Sequence, residues 1–144
     1  MHDRLLYMMI SDSSQAGDEV LVVCPELTDA ELNELFSASW PAHRSTSFAP
    51  MLARSLTWIA ARRGNRLVGF VNVVGDGGAH AFVLDTTVHP DERRQGLGMR
   101  LVRAAAEEAR ARGAEWLHVD YEPHLESFYG QCGFRPTAAG LMRL

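Results

Sequence analysis

The stretch "VHPDERRQGLGMRLV", residues 88–102, decides how this chain is read. It joins the apolar end of a strand-like run, through a proline and a charged turn, to a helix-patterned segment. From Gly96 onward, Leu97, Leu101, Ala105 and Ala109 recur every four residues with Val102 beside them. Arg100, Arg103, Glu107 and Arg110 take the other sides. That pattern is an amphipathic helix, and Gly113 is its natural stop. A helix N-terminus leaves backbone N–H groups without intrahelical partners and carries a partial positive charge, so it favours an anion placed against it. Gly96 and Gly98 remove side chains that would hold an anion away, and Arg93 and Arg94 add charge-assisted donors. A pyrophosphate suits such a place. Two nucleotide-binding patterns do not fit: no Lys-Ser/Thr follows the glycines as a P-loop needs, and Leu101 stands where a dinucleotide fingerprint wants its third small residue.

Outward from this stretch, the elements alternate in a mixed order. "EVLVVCP" reads as a strand feeding the helix "TDAELNELFSASW", with Thr28 as N-cap, Glu31 three residues on, and Leu32, Leu35 and Phe36 at helical spacing. "AHRSTSFAP" is a loop and "MLARSL" a short helix. Three strands follow, at 57–61, 66–74 and 80–88, joined by the Gly-Asn turn of "RRGNR" and by "GDGG", so they form an antiparallel meander. After the helix, "EWLHVDY" is a strand that the helical crossover places parallel to the one ending at Val88. "HLESFYGQC" is a short helix, and "GFRPTAAGLMRL" is read as two short strands around Ala138 to Gly140. The expected fold is α/β of the α+β kind: one mixed sheet, mostly antiparallel with one parallel pair, flanked by helices, in a single domain over residues 1–144.

Composition narrows the function classes. The 144 residues are 47% hydrophobic and 22% charged, enough for one core that buries roughly 70% of the unfolded surface. A net charge of −4 argues against nucleic acid or anionic lipid as a general partner, so any anion site is local. The apolar run in "MHDRLLYMMISDSS" is too short for a secretory leader or a membrane span, and two cysteines make no disulfide framework, so a cytoplasmic location is the default expectation. The six histidines are scattered without metal-ligand spacing, and no metal is expected. Cys132 reads as a small packing residue, and Trp40, Trp58 and Trp116 as packing aromatics.

Residues 88–98, Val-His-Pro-Asp-Glu-Arg-Arg-Gln-Gly-Leu-Gly, resemble the acetyl-CoA signature of the GNAT superfamily of N-acyltransferases, written Arg/Gln-x-x-Gly-x-Gly/Ala. Residues 128–134, Phe-Tyr-Gly-Gln-Cys-Gly-Phe, are similar to the same family's downstream Tyr-x-x-x-Gly-Phe segment. The two motifs stand in the family's order, separated by one helix and one strand. The resemblance implies a splayed parallel strand pair and acetyl-CoA as co-substrate. It implies that Arg93, Arg94, Gln95, Gly96, Leu97, Gly98 and Met99 cradle the pyrophosphate and that pantetheine runs past Thr87 and Val88, with Phe128 at the cofactor. It further makes the Val88 N–H the oxyanion donor and Tyr129 the general acid for the departing thiolate. The implied reaction moves an acetyl group to a primary amine of a small molecule or a peptide; a CoA-binding regulatory or scaffold domain without turnover is the alternative. Family members often dimerise through C-terminal strands or open sheet edges, which leaves a homodimer open.

The general base is unassigned. Where some family members carry a glutamate on the central strand, this chain has Leu84, and Asp85, His118, Asp120 and Glu122 remain candidates. Strict alternation puts Phe82, Leu84, Thr86 and Val88 on one face and Asp85 and Thr87 on the other, which makes a structural role for Asp85 the expectation. Glu122 takes the place where the family often has an asparagine touching pantetheine.

Overall fold

The computed structural model describes residues 8–10 and 18–144. Its centre is a six-stranded sheet in the order β1-β2-β3-β4-β5-β6. The strands are β1 (Met8–Ile10), β2 (Glu19–Val23), β3 (Thr57–Arg63), β4 (Arg66–Gly75), β5 (His80–Val88) and β6 (Trp116–Val119). All neighbours pair antiparallel except β5 and β6, which are parallel. The helices are α1 (Asp29–Ser39), α2 (Ala49–Arg54), α3 (Leu97–Ala111) and α4 (Glu126–Gln131). The mixed sheet with one parallel pair is the architecture expected from the sequence, with β1 as an addition at one edge. The expected pair of strands around Ala138 to Gly140 does not form, and residues 133–144 run without a ladder partner among the described residues. Pro136 lacks a donor N–H, and the small residues Ala138, Ala139 and Gly140 give a strand little to pack.

Each face of the sheet carries its own core. Leu97, Leu101 and Ala105 of α3 pack on Ile59, Val71, Val73 and Val83. On the opposite face, Leu32, Leu35 and Phe36 of α1 meet Ala60, Leu67 and Phe70, with Phe48 closing the cluster ahead of α2. Burying a side chain such as Phe70 or Leu101 in this way contributes about 1.5–3 kcal/mol. The start of α1 is fixed locally: Thr28 Oγ1 accepts from the Glu31 N–H while the Glu31 carboxylate accepts from the Thr28 N–H. Glu31 also accepts from Arg62 at 2.7 Å, which holds its carboxyl below the ordinary range.

Two irregularities of β5 position the site. First, its pairing with β6 ends at Val83↔Val119, so the segment from Leu84 to Val88 parts from β6 and leaves a gap. Second, the β4–β5 register jumps between Phe70↔Thr87 and Asn72↔Leu84, and Asp85 in the jump has φ 57°. This is a β-bulge, and it overturns the simple alternation. Phe70 and Asn72 lie on one face of β4, so their partners Thr87 and Leu84 share a face of β5 despite their odd spacing. Val88 is turned instead to the α3 side, where it packs against the core with Val83.

Candidate functional site

The gap below β5 and the start of α3 enclose a cleft of ≈ 390 Å³. Of the residues singled out from the sequence, Thr87, Val88, Arg93, Arg94, Gly96, Leu97, Gly98, Met99, Phe128 and Tyr129 line it; Gln95 does not. The remaining walls are Ser39, Trp40, Thr86, Glu92 and Leu125. The placement of Trp40 differs from the packing role expected of it. It is 49% exposed and donates its indole N–H to Thr87 Oγ1 at 3.2 Å. Ser39 Oγ donates to Leu35 O at 2.9 Å and shares that hydrogen with Val88 O at 3.3 Å, so the end of α1 is tied to the end of β5 chiefly through Trp40.

The floor of the cleft is a row of backbone donors. The helix α3 begins with Gly96 as N-cap at φ 79°, with no side-chain cap, and its first intrahelical bond runs from Arg100 N to Gly96 O. The amides of Leu97, Gly98 and Met99 are therefore not claimed by a capping side chain. Arg94, at φ 65°, adds a second left-handed residue two positions earlier; alternation of this kind curls successive N–H groups into a concave nest for anions. A Cβ built on Gly96 would meet nothing within 4 Å, so glycine is needed there for its backbone conformation. At Gly98 a Cβ would come within 3.3 Å of the Phe128 ring, which would have to give by a few tenths of an ångström, and would make ordinary contact with Val88 Cγ2 at 3.6 Å. The side chains of Arg93 and Arg94 make no hydrogen bond or ion pair among the described residues.

Glu92 is an acidic residue in a cleft otherwise suited to anions, and its charge is compensated. Arg63 donates to both of its oxygens at 2.9 Å, which holds the carboxyl below the ordinary glutamate range. Arg63 also donates to buried Glu19 at 2.8 Å, and Arg100 donates to the other Glu19 oxygen at 2.7 Å. This network pins the Pro90–Glu92 turn to β2, β3 and the first turn of α3. Its importance was not readable from the sequence, because the partners lie 29 to 81 residues apart.

At the other end of the cleft, Tyr129 is buried, with its ring stacked on Tyr121 at 5.0 Å and edge-on to Phe128 at 4.9 Å. Burial pushes its phenol above the ordinary value; the nearby Thr86 hydroxyl pulls it partway back, and Cys132 adds to the rise. The two hydroxyls do not complete a hydrogen bond, so Thr86 Oγ1 is buried in the cleft wall with no partner among the described residues. Burial likewise pushes the Cys132 thiol up, with Arg103 opposing, which keeps it protonated and unsuited to nucleophilic attack. Cys24 and Cys132 are both free thiols.

The four candidate bases are scattered. His118 stacks on Phe82 at 4.5 Å and shares a hydrogen bond with His80 at 2.8 Å, and neither it, Asp120 nor Glu122 lines the cleft. Asp85 opens instead into a second cleft of ≈ 530 Å³, formed with the loop between α1 and α2, and Trp40 lines both.

A strand that leaves its parallel neighbour above an uncapped, glycine-opened helix defines a class of α+β domain whose cleft has open backbone donors suited to an anion. Comparison with known proteins narrows the class. Residues 26–134 match the profile of the acetyltransferase (GNAT) family, and the chain belongs to that family. It is 30% identical over 114 residues to mycothiol acetyltransferase of Thermomonospora curvata, a stretch that is 74% of this chain and 38% of that protein. It is 42% identical over 52 residues to glucosamine 6-phosphate N-acetyltransferase 1 of Oryza sativa subsp. japonica, 36% of this chain and 32% of that one. The chain thus spans well under half the length of these curated relatives. Among solved structures, a GNAT family acetyltransferase from Streptococcus pneumoniae superposes with TM-score 0.75 at 23% identity, covering 88% of this chain and 97% of that one. An aminoglycoside N-acetyltransferase in complex with CoA gives 0.73 at 15% identity, covering 92% and 97%. Among the described residues, no helix is long and apolar enough to cross a membrane, and no cluster of three or more His, Cys, Asp or Glu is arranged to hold a metal.

Proposed function

We propose that this chain transfers an acetyl group from acetyl-CoA to a primary amine of a small molecule or peptide, with the ≈ 390 Å³ cleft as the acetyl-CoA site. The observation that carries the reading is the pairing of an anion cradle at one end of a single cleft with a buried phenol at the other. The residues present fit this co-substrate. The open amides of Leu97, Gly98 and Met99, with Arg93, Arg94 and the turn through Gln95, suit its diphosphate. The partnerless Thr86 hydroxyl and the parted edge of β5 at Thr87 and Val88 offer polar partners to an extended chain carrying amides, alongside the flat face of Phe128. Neither metal nor redox group is needed for the reaction proposed.

In the transfer, the unprotonated amine attacks the thioester carbonyl. A C–N bond forms, the C–S bond breaks, and negative charge passes from oxygen to sulfur. In this reading the Val88 N–H serves as donor to the oxygen, and Tyr129 as proton donor to the leaving sulfur. A raised phenol pKa suits that role in one respect: Tyr129 stays protonated, and so stays a donor, across the working range. The test is direct. Purified protein is titrated with CoA in a calorimeter, then incubated with acetyl-CoA and an amine panel while free thiol is followed. Saturable CoA uptake with amine-dependent thiol release is the expected result. CoA uptake without release for any amine would identify a binding domain without turnover, and the absence of uptake would overturn the reading altogether.

A further inference from the structure

The second cleft carries features that the acetyl-CoA site does not use. The bulge sends consecutive residues of β5 in different directions, so that Thr86 lines the first cleft and Asp85 the second, and Trp40 is the wall between them. Asp85 holds a left-handed backbone conformation, φ 57°, which is costly for a residue other than glycine and is retained where the surroundings require it. Here the requirement is visible: Thr87 Oγ1 donates to Asp85 O at 2.9 Å and itself accepts from the Trp40 indole. The Asp85 carboxylate has no hydrogen-bond or ion-pair partner among the described residues. It reaches solvent, yet the cleft walls strip part of its hydration and raise its pKa, making it a stronger proton acceptor than a free aspartate.

The opposite wall is aromatic. Phe36 lies 5.1 Å from Phe48 and 5.5 Å from His43, ring centre to ring centre, and His43 stacks on Phe48 at 18°. The His43 ring is locked in one protonation form when neutral. Asn33 is oriented by Thr46, donating through Nδ2 to Thr46 O at 2.8 Å and accepting at Oδ1 from Thr46 N at 3.0 Å. The atom 2.8 Å from His43 Nε2 is therefore a carbonyl oxygen, so Nε2 carries the hydrogen and Nδ1 keeps its lone pair. The cleft presents a carboxylate and an imidazole lone pair against flat rings, with the Arg44 guanidinium also on its lining.

We propose that this second cleft is the acceptor site and that it selects a primary ammonium borne on a flat aromatic body, with Asp85 receiving the ammonium and the Phe36–His43–Phe48 cluster receiving the ring. The proposal rests on the acetyltransferase reading above and adds to it the class of acceptor. Asp85 would take the proton that the ammonium loses before attack, returning it to solvent, so the overall balance is ammonium plus acetyl-CoA giving amide, CoA thiol and a proton.

The test uses 2-phenylethylamine as probe, with n-butylamine as comparator, titrated calorimetrically into the full chain with and without saturating CoA. Binding of 2-phenylethylamine at least tenfold tighter than n-butylamine is expected. Asp85→Asn, which keeps a side chain tolerant of the left-handed conformation, should lose at least tenfold in amine affinity and leave CoA affinity within twofold. Thr46→Trp, which fills the cleft from an exposed loop position, should do the same. Equal affinity for the two amines, no amine binding, or insensitivity to both substitutions would overturn the acceptor assignment. Those failures are separable from failure of the parent reading, which would show as absent CoA binding in the same titrations.

Discussion

Replacing Gly96 by alanine tests the anion cradle with a magnitude that the structure fixes in advance. The added methyl meets nothing within 4 Å, so no steric clash contributes. What remains is the cost of holding an L-residue at φ 79°, about 1–2 kcal/mol. The variant can absorb that cost in two ways. If the turn keeps its shape, stability falls by that amount, roughly 2–4 °C in Tm per kcal/mol for a chain of this size, and CoA affinity is unchanged. If the turn relaxes, the amides of Leu97 and Gly98 swing off the diphosphate and the cost reappears as lost affinity, about 5- to 30-fold. Because the residue before helix α3 is exposed and lacks a side-chain cap, relaxation meets little resistance, and the second outcome is expected. Gly64 supplies the internal control. It sits at φ 60° in the β3–β4 turn, again with open space around a built Cβ, and lines neither cleft. Gly64→Ala should lower Tm with no effect on CoA. Calorimetric CoA affinity and thermal melts of both variants decide the matter; a Gly96→Ala protein with both wild-type affinity and wild-type Tm would refute the reasoning.

Three further outcomes follow from particular contacts. Tyr129→Phe should lower kcat by about a hundredfold or more while leaving CoA affinity within twofold, and unchanged turnover would remove the phenol from the reaction. The Arg63 contact depresses the Glu92 pKa below the ordinary 4.5, so its stabilisation is complete above that value and is lost as pH falls through the folded one. Urea midpoints of wild type and Glu92→Gln should therefore differ at neutral pH and converge as the pH falls below the ordinary glutamate range, and a constant gap between them would contradict the network's role. Asn72 is fully buried with neither amide atom partnered among the described residues, so Asn72→Leu should stabilise the protein by about 1–3 kcal/mol; a loss of stability in denaturant titrations would mean that an internal water satisfies the amide.

The parts of this fold that declare themselves in the sequence are those set by neighbours along the chain. The Thr28–Glu31 capping box, the Gly64-Asn65 turn and the four-residue period of α3 each depend on residues within a few positions of one another, and each appears as read. The bulge at Asp85 has no such mark. Aspartate tolerates the left-handed region, so neither glycine nor proline announces the break, and a rule of strict alternation carried past it assigns Thr87 and Val88 to the wrong faces. The C-terminal strands fail for another reason: Pro136 lacks a donor N–H, Ala138 to Gly140 offer little to pack, and no edge among the described residues is paired with them. The tautomer of His43 carries no sequence mark either, because it is set by Asn33, ten residues earlier on another element, and by the backbone of Thr46.

The bulge also explains how one short strand end can serve two clefts. In a regular strand, residues 85 and 87 would share a face with each other and not with Leu84, and the Thr87 hydroxyl would be turned away from the face on which α1 packs. The extra residue reverses the parity beyond Asp85 and brings Thr87 to the face of Phe70 and Asn72, where its hydroxyl accepts from Trp40 at 3.2 Å. The same reversal turns Val88 toward Gly98 and Phe128, closing the floor of the first cleft. Trp40→Phe tests this coupling, because it keeps an aromatic ring between the clefts and removes the N–H together with part of the indole. If the indole bond holds the bulge, the variant should weaken 2-phenylethylamine and CoA together, by about 3- to 10-fold each, in line with a single hydrogen bond of about 0.5–1.5 kcal/mol shared between two sites. Loss confined to one ligand would show that the clefts are held independently and that the bulge needs no help from α1.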